Sequence, residues 1–239
     1  MIYWGKLFLH YILKTHSMEK ILVIVAHPDD EILGCGGTIA KLKTENKEVR
    51  ILILSQGMRS RDDAQDRNIN ALQEDAKEAS KIIGSDKLLI ESFPDNSFDS
   101  VPMLEIIKKI ESIIEEFKPD TVFTHSGSDL NIDHKITCEA VKVACRPMEG
   151  TCVKRLLAFE VPSSTEWGFL GNNSFHPNKF IDISGTLDKK LEAMSAYKGE
   201  LREFPHPRSL EYMESLAKVR GGGAGYNAAE AFELVFEKE

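Results

Sequence analysis

The sequence predicts an α/β fold: a parallel sheet with helices on both faces. Three observations predict it. Apolar, β-branched runs alternate with helix-period segments from residue 20 to about 160, the order of a parallel sheet with crossover helices. The first run, Ile21-Leu22-Val23-Ile24-Val25-Ala26, lacks polar alternation and reads as a strand buried on both faces. Polar clusters follow three strand ends, after Ala26, after Leu54 and after Thr124. Right-handed crossovers bring those ends to one edge, and open α/β sheets bind ligands there.

The remaining elements follow in order. Residues 31–46 read as a helix whose packed side carries Ile32, Ile39, Leu42 and the small residues Gly34, Cys35, Gly36 and Gly37. A second strand spans 48–54. An amphipathic helix covers 66–83 and ends at Gly84 as a C-cap. A third strand spans 87–92. Residues 103–117 repeat Leu104, Ile107, Ile110 and Ile114 at helical spacing. A short strand at 121–124 follows Pro119-Asp120, and 134–143 reads as a helix. Strands at 154–161 and 180–183, helices at 187–197 and 208–219, and a closing strand at 231–236 complete the pattern. Residues 162–178, rich in Ser, Asn, Pro and Gly, read as a long loop able to cover the site.

With 239 residues, 42% hydrophobic and 28% charged, the chain suits one large ordered domain, expected over residues 18–239. A formal net charge of -8 argues against general nucleic-acid binding, which needs a basic face. Cys35, Cys138, Cys145 and Cys152 contain no C-x-x-C pair and read as buried free thiols in a reducing cytosol, so a cytoplasmic location is expected. Residues 1–17 stand apart as an extension. Tyr3, Trp4, Leu7, Phe8 and Tyr11 share one helical face, but the apolar stretch is too short to span a membrane. An extension upstream of a start at Met18, a helix docking on a partner subunit and a membrane-surface anchor are the three readings, the first two preferred.

The chemistry concentrates in two clusters. His27-Pro28-Asp29-Asp30-Glu31 follows the first strand, and imidazole with carboxylate suits a divalent metal such as zinc. The second cluster runs from Thr124 and His125 to Asn131, Asp133 and His134, with His134 opening a helix. A catalytic zinc site needs three protein ligands and an open position, and His27, Asp30 and His134 can supply the three. Asp29 is then left beside the metal, where a carboxylate acts as general base for hydrolysis. On spacing alone, His-Pro-Asp-Asp also reads as a turn whose aspartate caps the next helix.

These residues carry a family resemblance. Ala26 to Glu31, with Asn131-Ile132-Asp133-His134, resembles the PIG-L (LmbE-like) family of zinc-dependent de-N-acetylases. Gly36-Gly37-Thr38, Pro119 to Val122, and Arg220-Gly221 through Gly225-Tyr226 to Ala229-Glu230-Ala231-Phe232 extend the resemblance over nearly the whole chain after Met18. It implies a Rossmann-like three-layer sandwich, a metal on His27, Asp30 and His134, and Asp29 as general base. The implied substrate is an N-acetylglucosamine-type sugar, free or conjugated, and the family often forms homo-oligomers. Many members read His-Pro-Asp-His in the second motif. Here Asn131 replaces the first His, and an amide can donate a hydrogen bond to an oxyanion but supplies no proton. Asp133 joins Asn131 among the catalytic candidates, although an Asp at a helix start is often only a cap. Iron and other divalent ions use the same ligand types as zinc.

Further candidates bind substrate. Arg59 and Arg61 follow the second strand and read either as anchors for a sugar hydroxyl or phosphate, or as a solvated pair. Asp95 resembles a sugar-contacting acid, or forms a turn with Asn96. His125 is either functional or a structural residue at a strand end. His206 and Arg208, in Pro205-His206-Pro207-Arg208, stand as rim candidates. Gly221-Gly222-Gly223 after Arg220 reads as a flexible turn or a phosphate cradle. A nucleotide-binding enzyme and a non-catalytic sugar-binding protein remain the alternatives on the same scaffold.

Overall fold

The protein is described by a computed structural model over residues 18–57, 69–168 and 174–239. Arg59, Arg61, the first turn of the helix expected from residue 66, and the N-terminal extension 1–17 lie outside the described residues. Among these residues, seven strands form one sheet: β1 (Lys20–Val25), β2 (Glu48–Ser55), β3 (Lys87–Phe93), β4 (Thr121–His125), β5 (Arg155–Phe159), β6 (Lys179–Asp182) and β7 (Ala229–Glu237). Their spatial order is β3-β2-β1-β4-β5-β7-β6. The first five pair in parallel, and β7 runs antiparallel to both neighbours, β5 and β6.

Among the described residues, six α-helices cover the two faces: α1 (Asp30–Thr44), α2 (Ile69–Ile83), α3 (Met103–Phe117), α4 (Ile132–Ala144), α5 (Leu187–Ala196) and α6 (Leu210–Ala224). Side chains of β1 alternate between two cores, which is why its sequence is apolar throughout. Ile21, Val23 and Val25 pack with Ile32, Leu33 and Ile39 of α1, Ala79 of α2 and Met194 of α5. Leu22 and Ile24 pack with Ile106, Ile110 and Phe117 of α3 and Val141 of α4. The predicted three-layer α/β sandwich is therefore the architecture observed.

Details differ from expectation. Leu104, placed by its spacing among the core residues of α3, is 63% exposed, because the buried face starts at Ile106. Gly221-Gly222-Gly223 is neither turn nor cradle: it forms the last turns of α6, and Gly225, with φ 81°, ends that helix in the left-handed conformation. Gly221 is required by proximity, since a Cβ there would sit 2.7 Å from Ala228 Cα. Gly34 does the same for α1, where a Cβ would sit 2.3 Å from Phe159 Cδ2.

Strand order places the site. The chain runs outward from β1 to β2 and β3, then returns to β4 on the other side of β1. That reversal leaves a crevice beyond the carboxyl ends of β1 and β4, the usual ligand site of such sheets.

Candidate metal centre

The residues after β1 turn abruptly into α1. Asp29, the N-cap of α1, has φ 98°, a left-handed conformation that costs a non-glycine residue roughly 1–3 kcal/mol. Glu31 helps to hold it. Its Oε2 accepts the Asp29 N–H at 3.2 Å, and its Oε1 accepts the Tyr197 hydroxyl at 2.5 Å. Glu31 and Tyr197 are both fully buried. The turn brings His27, Asp29 and Asp30 to the crevice together.

His27, Asp30 and His134 converge there. His27 Nδ1 lies 3.2 Å from His134 Nε2 and 3.4 Å from Asp30 Oδ2, and His134 Nε2 lies 3.3 Å from the same oxygen. Donors tetrahedrally placed about 2.0–2.1 Å from one ion would stand roughly 3.3 Å apart. Asp30 Oδ1 is buried with no hydrogen-bond partner, the mark of a polar group built for a ligand. The cluster thus fits a small divalent cation. Without one, burial lowers the pKa of His27, but its contacts with Asp133 and Asp30 outweigh this and raise it to about 10. Burial opposes protonation of His134 too, and Asp30 and Asp129 raise it to about 9. Strongly basic imidazoles facing a buried carboxylate are a site asking for positive charge.

Each imidazole also meets a carboxylate on its far side. Asp133 Oδ2 is 3.1 Å from His27 Nε2, while Asp133 Oδ1 accepts the Phe98 N–H at 2.9 Å. Asp95, also buried, places Oδ1 3.4 Å from His27 Nε2. Asp129 Oδ1 stands 3.1 Å from His134 Nδ1.

Asp29 lies beside the cluster, 2% exposed. Burial raises its pKa to about 7, against the opposing charge of Arg208, whose Nη1 is 3.1 Å from Asp29 Oδ2. Arg208 is held in turn by Glu200 Oε2 at 2.8 Å and Ser163 Oγ at 2.7 Å. A buried carboxylate titrating near neutrality is suited to take and return a proton.

The other sequence candidates fall as follows. Arg208, expected at the rim as a substrate contact, faces Asp29. His206 lies beside it, its Nδ1 accepting the Arg208 N–H at 3.0 Å and its ring edge-on to Trp167. His125, expected among the substrate contacts, is fully buried: its Nε2 accepts the Ala26 N–H at 2.9 Å and its ring stacks on His134 at 4.0 Å. Burial, then the neighbouring His134, pushes its pKa down to about 3, so it is a neutral support for the His134 ring. Asn131 caps α4 by accepting the Asp133 N–H at 2.8 Å, and its amide donates to Asn96 Oδ1 at 3.1 Å. Sequence reasoning gave no role to Glu31 and Asp129, which stand in the two clusters, and missed Tyr197 and Glu200. An acid in the first turn of an apolar helix was a signal for Glu31; Tyr197, 166 residues away, had none.

A Rossmann-like sheet with a His-Asp-His cluster beside a buried carboxylate suits the class of metal-dependent enzymes that hydrolyse amide bonds. The family is shown by comparison: the chain belongs to the PIG-L family, whose profile, described as GlcNAc-PI de-N-acetylase, matches residues 22–145. Diacetylchitobiose deacetylase of Thermococcus kodakarensis is 27% identical over 92% of this chain and 84% of its own length. The uncharacterized deacetylase YaiS of Escherichia coli is 30% identical over 77% of this chain and 93% of its own. The crystal structure of the conserved protein TT1542 from Thermus thermophilus superposes with a TM-score of 0.76 at 27% identity, covering 93% of this chain and 97% of that one. Among the described residues, no helix is long and apolar enough to cross a membrane.

Proposed function

We propose that this protein is a zinc-dependent de-N-acetylase acting on an N-acetylglucosamine-type amino sugar or its conjugate. The observation that carries the reading is a buried carboxylate, Asp29, left out of a three-donor cluster whose spacing suits zinc. The acetylated-sugar substrate is supported by the family description and by the diacetylchitobiose deacetylase relative.

Zinc held by His27, Asp30 and His134 would polarise an acyl carbonyl and acidify water for attack. Asp29 then takes the proton of the attacking water and returns it to the leaving amine nitrogen. Arg208 keeps the Asp29 carboxylate in place, and its charge favours the ionised, proton-accepting form. Asp133 and Asp95 address the far nitrogen of His27, so its Nδ1 lone pair is free for the metal. Asn131 has its amide on Asn96, so protonation of the amine is assigned to Asp29.

The test is acetate release from a panel of N-acetyl sugars and conjugates, with zinc and with chelator. Chelator-sensitive release from at least one amino sugar is expected. Cofactor-dependent chemistry without metal dependence would favour a nucleotide-binding enzyme. Binding of sugar without release would favour a non-catalytic protein.

A further inference from the structure

We propose that Asp129 is a positioning residue that aims His134 at the metal, and that the turn at residues 163–165 holds Asp129 for this purpose. The inference rests on the metal centre proposed above but not on the identity of its substrate.

Asp129 is fully buried, and its oxygens are addressed from two directions. On the α4 side, Oδ1 accepts the Asn131 N–H at 2.8 Å, which ties it to the cap of the helix carrying His134. From the chain after β5, the Ser164 hydroxyl donates to Oδ1 and the Thr165 hydroxyl donates to Oδ2 at 2.6 Å. Thr165 Oγ1 also accepts the Val161 N–H at 2.7 Å, which turns its proton toward Asp129. The charge so fixed faces His134 Nδ1 at 3.1 Å, close enough for a hydrogen bond though not aligned as a complete one.

Two contacts therefore define the His134 ring. Stacking on His125, at 15° between planes, sets its plane. Asp129 sets the rotation within that plane and keeps the proton on Nδ1, leaving the Nε2 lone pair for a metal. Nε2 is the atom 3.2 Å from His27 Nδ1 and 3.3 Å from Asp30 Oδ2. The same short turn supplies Ser163 to Arg208, so it buttresses both the metal side and the Asp29 side of the site.

The experiment measures zinc affinity of the full chain by chelator competition, the visible spectrum of the cobalt-loaded protein, and the melting temperature. Asp129→Ala should bind zinc roughly 10–100-fold more weakly and shift the cobalt bands, as expected for a lost carboxylate behind a ligand histidine. Asp129→Asn, which keeps an acceptor for Nδ1–H, should recover most of the affinity. Should Asp129→Ala fail to fold, the Ser164→Ala, Thr165→Val double variant leaves Asp129 in place but unheld, and its zinc affinity should fall several-fold. Wild-type zinc affinity and cobalt spectrum in Asp129→Ala, even with a lower melting temperature, would make Asp129 a loop staple and overturn the proposal. So would unchanged affinity in the double variant. A wild-type chain that binds zinc but releases no acetate sinks the deacetylase reading and leaves this one standing; a wild-type chain that binds no zinc sinks both.

Discussion

Two buried charged clusters hold α1, and they are built in opposite ways. Near the middle of the helix, Glu230 accepts the N–H groups of Gly37 at 3.0 Å and Thr38 at 2.7 Å and the Lys190 ammonium at 2.5 Å. Lys190 also donates to the Leu33 carbonyl at 2.8 Å. These bonds serve a kink, since Cys35, with φ -147° and ψ 22°, breaks the helical ladder and frees backbone groups. At the start of α1, the candidate metal centre is nearly as deeply buried, yet Asp29 Oδ2, Asp30 Oδ1, His125 Nδ1 and His134 Nδ1 all lack a complete hydrogen bond, while around Glu230 and Lys190 every charged atom is bonded and one hydroxyl, Thr38 Oγ1, is not. Buried polar groups left short of partners are costly, so natural chains close such networks unless something else completes them. The closed cluster holds backbone; the open one has capacity left for a ligand and a proton.

That contrast can be broken from either side. The largest effect should come from Asp29→Asn, which removes the proton acceptor and leaves the metal donors. Turnover should fall by about 10²–10⁴, the range for a general acid-base group, with zinc content by elemental analysis unchanged. Near-normal turnover would remove Asp29 from that role. At the closed cluster, Glu230→Ala strands the Lys190 charge and should cost about 3–5 kcal/mol in urea unfolding, the usual result of breaking a buried pair. A loss below about 1 kcal/mol would show that the pair is not the main support of the kink.

Metal removal should separate the clusters next. Zinc at one hundred times its dissociation constant should stabilise the wild-type chain by about 2.7 kcal/mol over the chelated form. His134→Ala should abolish that gain, and an equal gain in the variant would exclude His134 as a ligand.

The smallest effect is the pH dependence of the metal-free chain. Burial raises Asp29 to about 7 and Glu31 to about 8, the latter despite the Tyr197 hydrogen bond. Unfolded, both ionise near about 4. The folded state therefore holds the extra protons in between, and stability falls as pH rises from about 4 to about 8. His27 and His134, raised to about 10 and about 9, add a contribution that is complete below about 6.5 and is lost as pH rises through those values. Urea midpoints of stripped protein should thus be lower at pH 8 than at pH 5, and Glu31→Gln should reduce the difference. A midpoint rising with pH would contradict the assignment.

Much of this was legible in the chain itself. A strand apolar at every position implied burial on both faces, and helical periodicity located α3 to the residue. His27, Asp30 and His134 were readable because each sits just beyond a strand end or at a helix start, where topology sends polar side chains to one edge. Asp129 stood in the second cluster without an assigned part, because its meaning depends on Ser164 and Thr165, 35 and 36 residues away. Arg208 read as a rim residue since nothing local shows that it turns onto Asp29.

Local pattern, then, determined most of the elements and the sheet class and singled out a candidate donor set, because periodicity and the polarity of strand ends act over a few residues. Only the tertiary structure decided which carboxylate backs which imidazole, which histidine is a buried support, and which charged cluster is closed. Those outcomes depend on strand order: β1 lies between β2 and β4, and that adjacency brings His27 to within 3.2 Å of a ring 107 residues further along the chain.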